Sequence, residues 1–205
     1  MQISKDDKKE IKNLITKKES RTACEIVPMI VQSSAAYPVA HFRMAILVSF
    51  MFSLGLYYSP LTLINPIYFL WIQIPGLLIG YSLALIPFFK RLFVTRYEMD
   101  LEVSQRAYEA FMHHNLHLTK EHNGLLIFVS RFERKIKIIA DNGIKSKIEN
   151  QTWNSVIGNF IKIIQHENIV SALKATINSA GEILAQHFTA TGPRTNEIEN
   201  DLIIE

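Results

Sequence analysis

The 205-residue chain contains one cysteine, which excludes a disulfide-stapled scaffold. Seven prolines and eight glycines are too few for a low-complexity or collagen-like chain. The most informative absence is local. From Met44 to Phe89, 46 consecutive residues include no Asp, Glu, Lys, Arg or His. All 41 acidic and basic residues fall in the other 159, which makes that remainder as charged as an ordinary soluble domain. The mean hydropathy of +0.11 and the net charge of +3 therefore average two unlike materials. The opening residues, MQISKDDKKE, lack the apolar core of a cleavable signal peptide, so none is expected.

One bilayer crossing takes roughly 20 apolar helical residues. A run of 46 is too long for one span and suits two joined by a tight turn, and Asn65-Pro66 supplies the turn signal near its middle. The expected organisation is a transmembrane helical hairpin over 44–89, with spans at about 44–63 and 67–89. Tyr57, Tyr58, Tyr68 and Trp71 cluster around the turn, as amphipathic rings do at headgroup level. Arg43 flanks the entry, Lys90, Arg91 and Arg96 flank the exit, and the turn carries no basic residue. These topology charges place both ends of the hairpin in the cytoplasm, and the expected location is a bacterial inner membrane. Ionisable groups at membrane depth, which pumps and ion-coupled transporters require, are missing. Small residues recur at helical spacing instead: Ala45, Ser49 and Ser53 on the first span, Gly76 and Gly80 on the second. Such stripes let helix backbones approach closely. They either face each other within the hairpin, or Gly76-x-x-x-Gly80 joins two copies of the chain as a homo-oligomer or docks a partner's transmembrane helix.

The flanking sequence describes an α/β domain split by the hairpin. Residues 1–43 form its first part, 90–190 the remainder, and 191–205 a polar, extended tail. Residues 4–18 predict a helix with Ser4 as N-cap and Asp7 as its capping-box partner. EIVPMIVQ, from Glu25, predicts a strand, with Pro28 placing it at an edge or bulge. Met99–His114 predicts a helix with Val103, Ala107, Ala110 and Phe111 on one stripe. GLLIFVS, from Gly124 to Ser130, is continuously apolar, as in a strand covered on both faces. KIKII, from Lys135, alternates like a half-exposed neighbour, and the short link Arg131–Arg134 predicts a hairpin between the two. Asp141-Asn142-Gly143 ends the pair with residues that tolerate positive φ. Two amphipathic helices follow, one through Trp153, Ile157, Phe160, Ile161 and Ile164, the next through Leu173, Ile177, Ala180 and Leu184.

Two groups of residues have chemical potential. His113 and His117 are four apart, which on one helical face suits a divalent metal such as zinc; histidines at a helix C-terminus also suit the dipole without any metal. Glu133 and Arg134 crowd the strand link and Asp141 ends the following strand; these are the catalytic candidates. Arginines beside a turn can bind phosphate in bidentate fashion, and a solvated hairpin tip has the same composition. No P-loop, nucleophile elbow or dinucleotide fingerprint is present. The mixed charge and the lack of any recognition module argue against nucleic acid as a partner. No cofactor is expected, a divalent metal being the open alternative.

Several motifs together resemble TPM-domain proteins. They are Thr22-Ala23-Cys24-Glu25-Ile26-Val27-Pro28, Tyr37-Pro38-x-Ala40-His41-x-Arg43, Leu116-His117-x-Thr119 and Asn123-Gly124-Leu125-Leu126-Ile127-Phe128-Val129-Ser130. Glu133-Arg134-Lys135-Ile136, Ala140-Asp141-Asn142-Gly143-Ile144, Trp153, Leu184-Ala185-x-His187-Phe188 and Asn196-Glu197-Ile198 complete the set. The resemblance implies a mixed sheet with helices on both sides, in a bacterial branch whose domain is interrupted by a transmembrane hairpin after its first strand. It also implies a function. Relatives include factors for assembly or repair of membrane protein complexes, an auxiliary receptor modulator and a domain described as an acid phosphatase. The turn at Asp141–Ser146 has one Gly where many relatives have a Gly-rich loop, which argues against a phosphate cradle there. Cys24 stands where many carry Gly. The expected protein is thus a non-enzymatic interaction or assembly factor in contact with the bilayer and another membrane protein or complex. The alternative is a weak membrane-associated phosphatase, assisted by a divalent metal.

Overall fold

Four strands build one mixed sheet in the order β3-β2-β1-β4: β1 (Glu25–Val31), β2 (Gly124–Ser130), β3 (Lys135–Ala140) and β4 (Ile203–Ile204). The computed structural model describes residues 3–60, 65–190 and 197–205. β1 runs parallel to β2 and to β4, and β2 pairs antiparallel with β3. The chain divides into two compact units, Met1–Ser33 with Val103–Glu205, and Ser34–Glu102. The sheet lies in the first.

The continuous apolar run of β2 is explained by two cores. Leu125, Ile127 and Val129 enter one, alongside Ile26 and Ile30 of β1; Leu126 and Phe128 enter the other, with Val27, Met29 and Val31. The first core is closed by α1 (Lys5–Glu19), α8 (Asn150–His166) and α9 (Ile169–His187). The second lies under α6 (Arg96–His113), through Val103, Ala107, Ala110 and Phe111. Ser4 and Asp7 form the expected capping box of α1. On α9, Leu173, Ile177, Ala180 and Leu184 are all buried. On α8 the buried stripe is narrower than the apolar face: Trp153, Val156 and Phe160 are inside, whereas Ile161 and Ile164 are exposed.

Pro28 sits in an interior strand rather than at an edge. Ile30 accepts from Glu205 and Gln32 donates to it, so even-numbered residues of β1 turn their backbone toward β4. β4 pairs only with Met29 and Ile30, so the missing N–H of Pro28 costs no ladder bond to either neighbour. Of the expected extended tail, 191–196 lie outside the described residues; beyond them Leu202 is buried, Ile203 and Ile204 add the fourth strand, and Ile198 packs on the second core. Sequence composition over 191–205 is dominated by polar residues and hid three consecutive apolar ones. Asp141-Asn142-Gly143 does not form a positive-φ turn. Asp141 instead N-caps the short helix α7 (Asn142–Lys145), and the positive φ values nearby belong to His122 and Asn115.

In the second unit, α2 spans Pro38–Tyr57, beginning six residues before the expected Met44 because Pro38 is preset for a first helical turn. Asn65 makes the expected turn, accepting from Ile67 through its side chain and from Tyr68 through its carbonyl. The expected end of the first span, Leu63, lies outside the described residues, as does Asn196. The continuous helix expected over 67–89 is three pieces: α3 (Tyr68–Trp71), α4 (Gln73–Leu83) and α5 (Pro87–Leu92). Prolines explain both breaks. Pro75 cannot donate to Trp71, four residues back, and its ring crowds that carbonyl; Pro87 forces Ile86 into extended backbone. Among the described residues α2 is the one helix long and apolar enough to cross a bilayer. The shorter apolar stretch Tyr68–Leu83 reaches about 24 Å at helical rise, against a hydrocarbon core of about 30 Å.

Candidate functional site

At the amino end of β1 and β2, short loops nest against one another. Asn123 receives a hydrogen bond from Glu25 N–H at its carbonyl (3.2 Å), and its own N–H donates to Thr119 Oγ1 (3.0 Å). Asn123 Nδ2 donates to the Ala23 carbonyl. Asp141 N–H bonds the Gly124 carbonyl at 2.9 Å. Its carboxylate accepts from Asn142 N–H at 2.7 Å, and His122 Nδ1 lies 3.3 Å from the other oxygen. Gly143 is required where it stands, since a Cβ would lie 2.4 Å from the Glu121 carbonyl and 2.5 Å from that of His122. Glu25 is buried here and its carboxylate accepts from Glu197 N–H at 3.3 Å. Buried Glu19 accepts from Ile26 N–H at 2.8 Å.

Glu133 and Arg134 lie at the other end. Glu133 is 1% exposed and takes hydroxyl hydrogen bonds from Ser33 (3.4 Å) and Ser130, so it ties the β2–β3 link to the end of β1. Arg131 N–H and Phe132 N–H continue that attachment onto the Val31 and Gln32 carbonyls. Arg134 is exposed, in the left-handed region at φ 54°. Asp141 is separated from this pair by the length of β3, about 20 Å at the usual strand rise. The three catalytic candidates therefore do not share a cleft. Each serves the fold instead: Asp141 as a helix cap, Glu133 as a buried anchor and Arg134 as a tight-turn residue.

The histidine pair also separates. α6 stops at His113, Asn115 adopts φ 56°, and His117 lies in a 3-10 turn, Leu116–Leu118. The i, i+4 relation on which a metal site rested needs a continuous helix. Among the described residues no group of three or more His, Cys, Asp or Glu side chains is arranged to hold a metal ion. His113 and neighbouring His114 instead border a groove of about 690 Å³ along α6, with Met29 in its floor and Arg106 bound to Glu205 at 2.5 Å. Burial holds the His114 imidazole below its ordinary pKa, helped by the charge of His113.

The small-residue stripes meet inside the second unit. A Cβ on Gly76 would stand 2.6 Å from Ser49 Cα, and one on Gly80 2.7 Å from Ala45 Cα. Gly76, Gly80, Ala45 and Ser49 are buried and Ser53 half-buried, so these faces are occupied by the α2–α4 contact. The outside of the pair is the reverse. Ile46 is 65% exposed, with Phe50, Leu70, Trp71 and Leu78 comparably bare, and only 28% of the apolar stretch of α2 is buried. Sequence inspection missed one polar link at the charged end of this unit. The Arg43 guanidinium grips Glu98 with both nitrogens, at 2.9 and 2.7 Å, and also donates to the Phe93 carbonyl at 2.9 Å. Thr95 and Glu98 exchange capping-box bonds at the start of α6. The Thr-x-x-Glu spacing was the available signal. The Arg43 fork, aided by Thr95 N–H, lowers the Glu98 carboxyl to about 2. Lys90 and Arg91 fall on α5, and Arg96 opens α6 in an exposed position.

A comparison with solved structures matches the chain to the NMR structure of BA42 protein from the psychrophilic bacterium Bizionia argentinensis. The TM-score is 0.63 at 17% identity, over 100% of this chain and 97% of that one, which is a likeness of fold. No curated protein sequence matches the chain. Residues 92–183 match the model of the TPM domain, and with the mixed four-stranded sheet between helices this places a TPM-like α/β domain in the chain.

Proposed function

We propose that the chain is an integral membrane protein whose TPM-like unit serves as a non-enzymatic interaction or assembly and maintenance factor for a membrane protein complex. The observation that carries the reading is the inverted burial of the second unit: small residues line its internal contact while its large apolar side chains point outward. Monomeric soluble proteins rarely expose contiguous apolar surface on that scale, and lipid is the solvent that suits it. Arg43, Lys90, Arg91 and Arg96 at one end, with no basic residue in the turn, favour cytoplasmic termini in a bacterial inner membrane. The bilayer is then one partner and a second membrane protein the other.

The test is co-purification at native expression level in mild detergent, after crosslinking in intact membranes. A reproducible partner is expected; recovery of this chain alone would overturn the reading. A phosphatase would need Asp141 and Arg134 to cooperate, and they stand at opposite ends of the sheet. Phosphate release by the purified chain, with or without divalent metal, is expected to be unchanged by Asp141→Asn.

A further inference from the structure

The two legs of the hairpin are shorter than a standard bilayer core, and their contacts mark where each leg ends. Gly76 lies against Ser49 and Gly80 against Ala45, so α2 and α4 run antiparallel. The pairing continues outward in both directions: the Tyr57 and Phe69 rings are 6.5 Å apart, and those of His41 and Tyr81 are 5.0 Å apart. Beside His41, the Arg43 guanidinium binds Glu98 and the Phe93 carbonyl, which makes this end polar. At the other end α2 stops at Tyr57, and Tyr57, Tyr58, Tyr68 and Trp71 all turn outward, 46–78% exposed. Rings with a polar edge sit at headgroup level. Arg43 and Tyr57 are 14 residues apart in one helix, about 21 Å at helical rise. The apolar surface between these ends, with Ile46, Phe50 and Leu54 on α2 and Leu78 on α4, is thus about 21–24 Å tall, against a hydrocarbon core of about 30 Å. Tilting a helix shortens its reach, so tilt widens the gap.

We infer that the hairpin selects phospholipids with short acyl chains, its apolar height being bounded by the Arg43 fork at one end and by the tyrosines and Trp71 at the other. A run shorter than the core is accommodated by thinner lipid around it, at a cost that grows with each ångström of mismatch. The inference rests on the membrane reading above and adds to it a lipid class, set by chain length and not by headgroup charge.

Tryptophan quenching in vesicles tests it. The chain has two tryptophans, exposed Trp71 and buried Trp153, so the difference between the native chain and Trp71→Phe isolates the signal of Trp71. Both are reconstituted in dibrominated dioleoylphosphatidylcholine mixed with dimyristoleoyl, dioleoyl or dierucoyl phosphatidylcholine, and relief of quenching ranks how well each lipid competes for the hairpin. Dimyristoleoyl lipid is expected to compete best and dierucoyl worst, with about threefold or more between their relative association constants. Equal competition by all three, or an advantage for the longer chains, overturns the inference and leaves the span standing. A chain that floats with the vesicles while Trp71 stays unquenched is covered there by protein, which also overturns it. Tyr57→Leu/Tyr68→Leu removes two of the rings that set the far boundary and is expected to move the preference toward dioleoyl lipid; an unchanged ranking overturns that boundary. Failure of the native chain to float with vesicles of any chain length refutes the membrane reading itself.

Discussion

The two units use the same apolar residue types with opposite burial. In the sheet unit, Leu125 to Val129 are almost wholly inside, between helices on both faces. In the hairpin unit, isoleucines, leucines and phenylalanines are outside, and glycine, alanine and serine form the contact. Water drives the first arrangement, because removing apolar surface from it is favourable. Where the surroundings are as apolar as leucine, that drive vanishes and close backbone packing takes over. The comparison can be broken at either end. Phe128→Ala, which empties the largest fully buried side chain of the sheet, is expected to cost about 3–5 kcal/mol. Denaturant unfolding followed by near-UV signal measures it. Ile46→Lys tests the other end, since Ile46 touches little of the protein. Central placement of a lysine in a span opposes insertion by about 2.5–3.5 kcal/mol. The carbonate-resistant fraction of the chain should fall; an unchanged fraction would mean that this face does not meet lipid.

A subtler contrast lies in the helix-contact glycines. Both units have helix glycines where an added Cβ would meet a neighbour below 3 Å. At Gly76 the neighbour is backbone, Ser49 Cα at 2.6 Å; at Gly181 of α9 it is the flexible stem of Lys18 at 2.8 Å. Backbone cannot move without shifting the helix, whereas a lysine stem swings aside. Gly76→Ala should therefore overpack the α2–α4 contact, with a cost of about 1–3 kcal/mol. Gly181→Ala should stay near neutral or gain up to about 1 kcal/mol from helix propensity. Thermal unfolding of both variants in the same detergent decides the matter. Equal losses would show that the two contacts are of one kind.

How much of this was legible in the sequence follows the same divide. Elements whose pattern has a single physical explanation could be read directly. The uninterrupted apolar run at Gly124–Ser130 is a doubly covered strand, Ser4 and Asp7 are a capping box, and Ala45/Ser49 against Gly76/Gly80 is a helix contact. Features that depend on distant partners were not legible. Pro28 suggests an edge until the two-residue β4, contributed from the far end of the chain, is seen to start one residue beyond it. Leu202-Ile203-Ile204 is too short a run to announce a strand amid polar neighbours. The second span expected over 67–89 ignored what Pro75 and Pro87 do to a helix, although both prolines were visible. The candidate chemistry failed for a topological reason. Glu133 and Asp141 are eight residues apart in sequence, but an antiparallel strand between them sends them to opposite ends of the sheet.

The smallest expected effect concerns the Arg43–Glu98 link at the charged end of the hairpin unit. Glu98 is bound by the Arg43 fork and by Thr95, and its carboxyl is lowered from the ordinary 4.5 to about 2. A carboxylate with a depressed folded-state pKa stabilises the fold above its unfolded value, and that contribution disappears as acid protonates the folded form. The stabilisation should thus be complete above about pH 4.5 and decline between about 4.5 and 2. Much of the pair is open to solvent, so salt should screen it and the effect should stay small. Thermal unfolding in detergent is compared for the native chain and Glu98→Gln, at neutral pH and down to pH 2, because other carboxylates also titrate in that window. The difference between the two melting temperatures should be largest near neutrality and close as pH falls toward 2. A difference independent of pH would mean that Glu98 acts through packing and its cap to Thr95 rather than through charge. In a unit whose internal contact is made of small residues and whose outer surface is apolar, that would leave the fork to Arg43 as geometry without electrostatic weight.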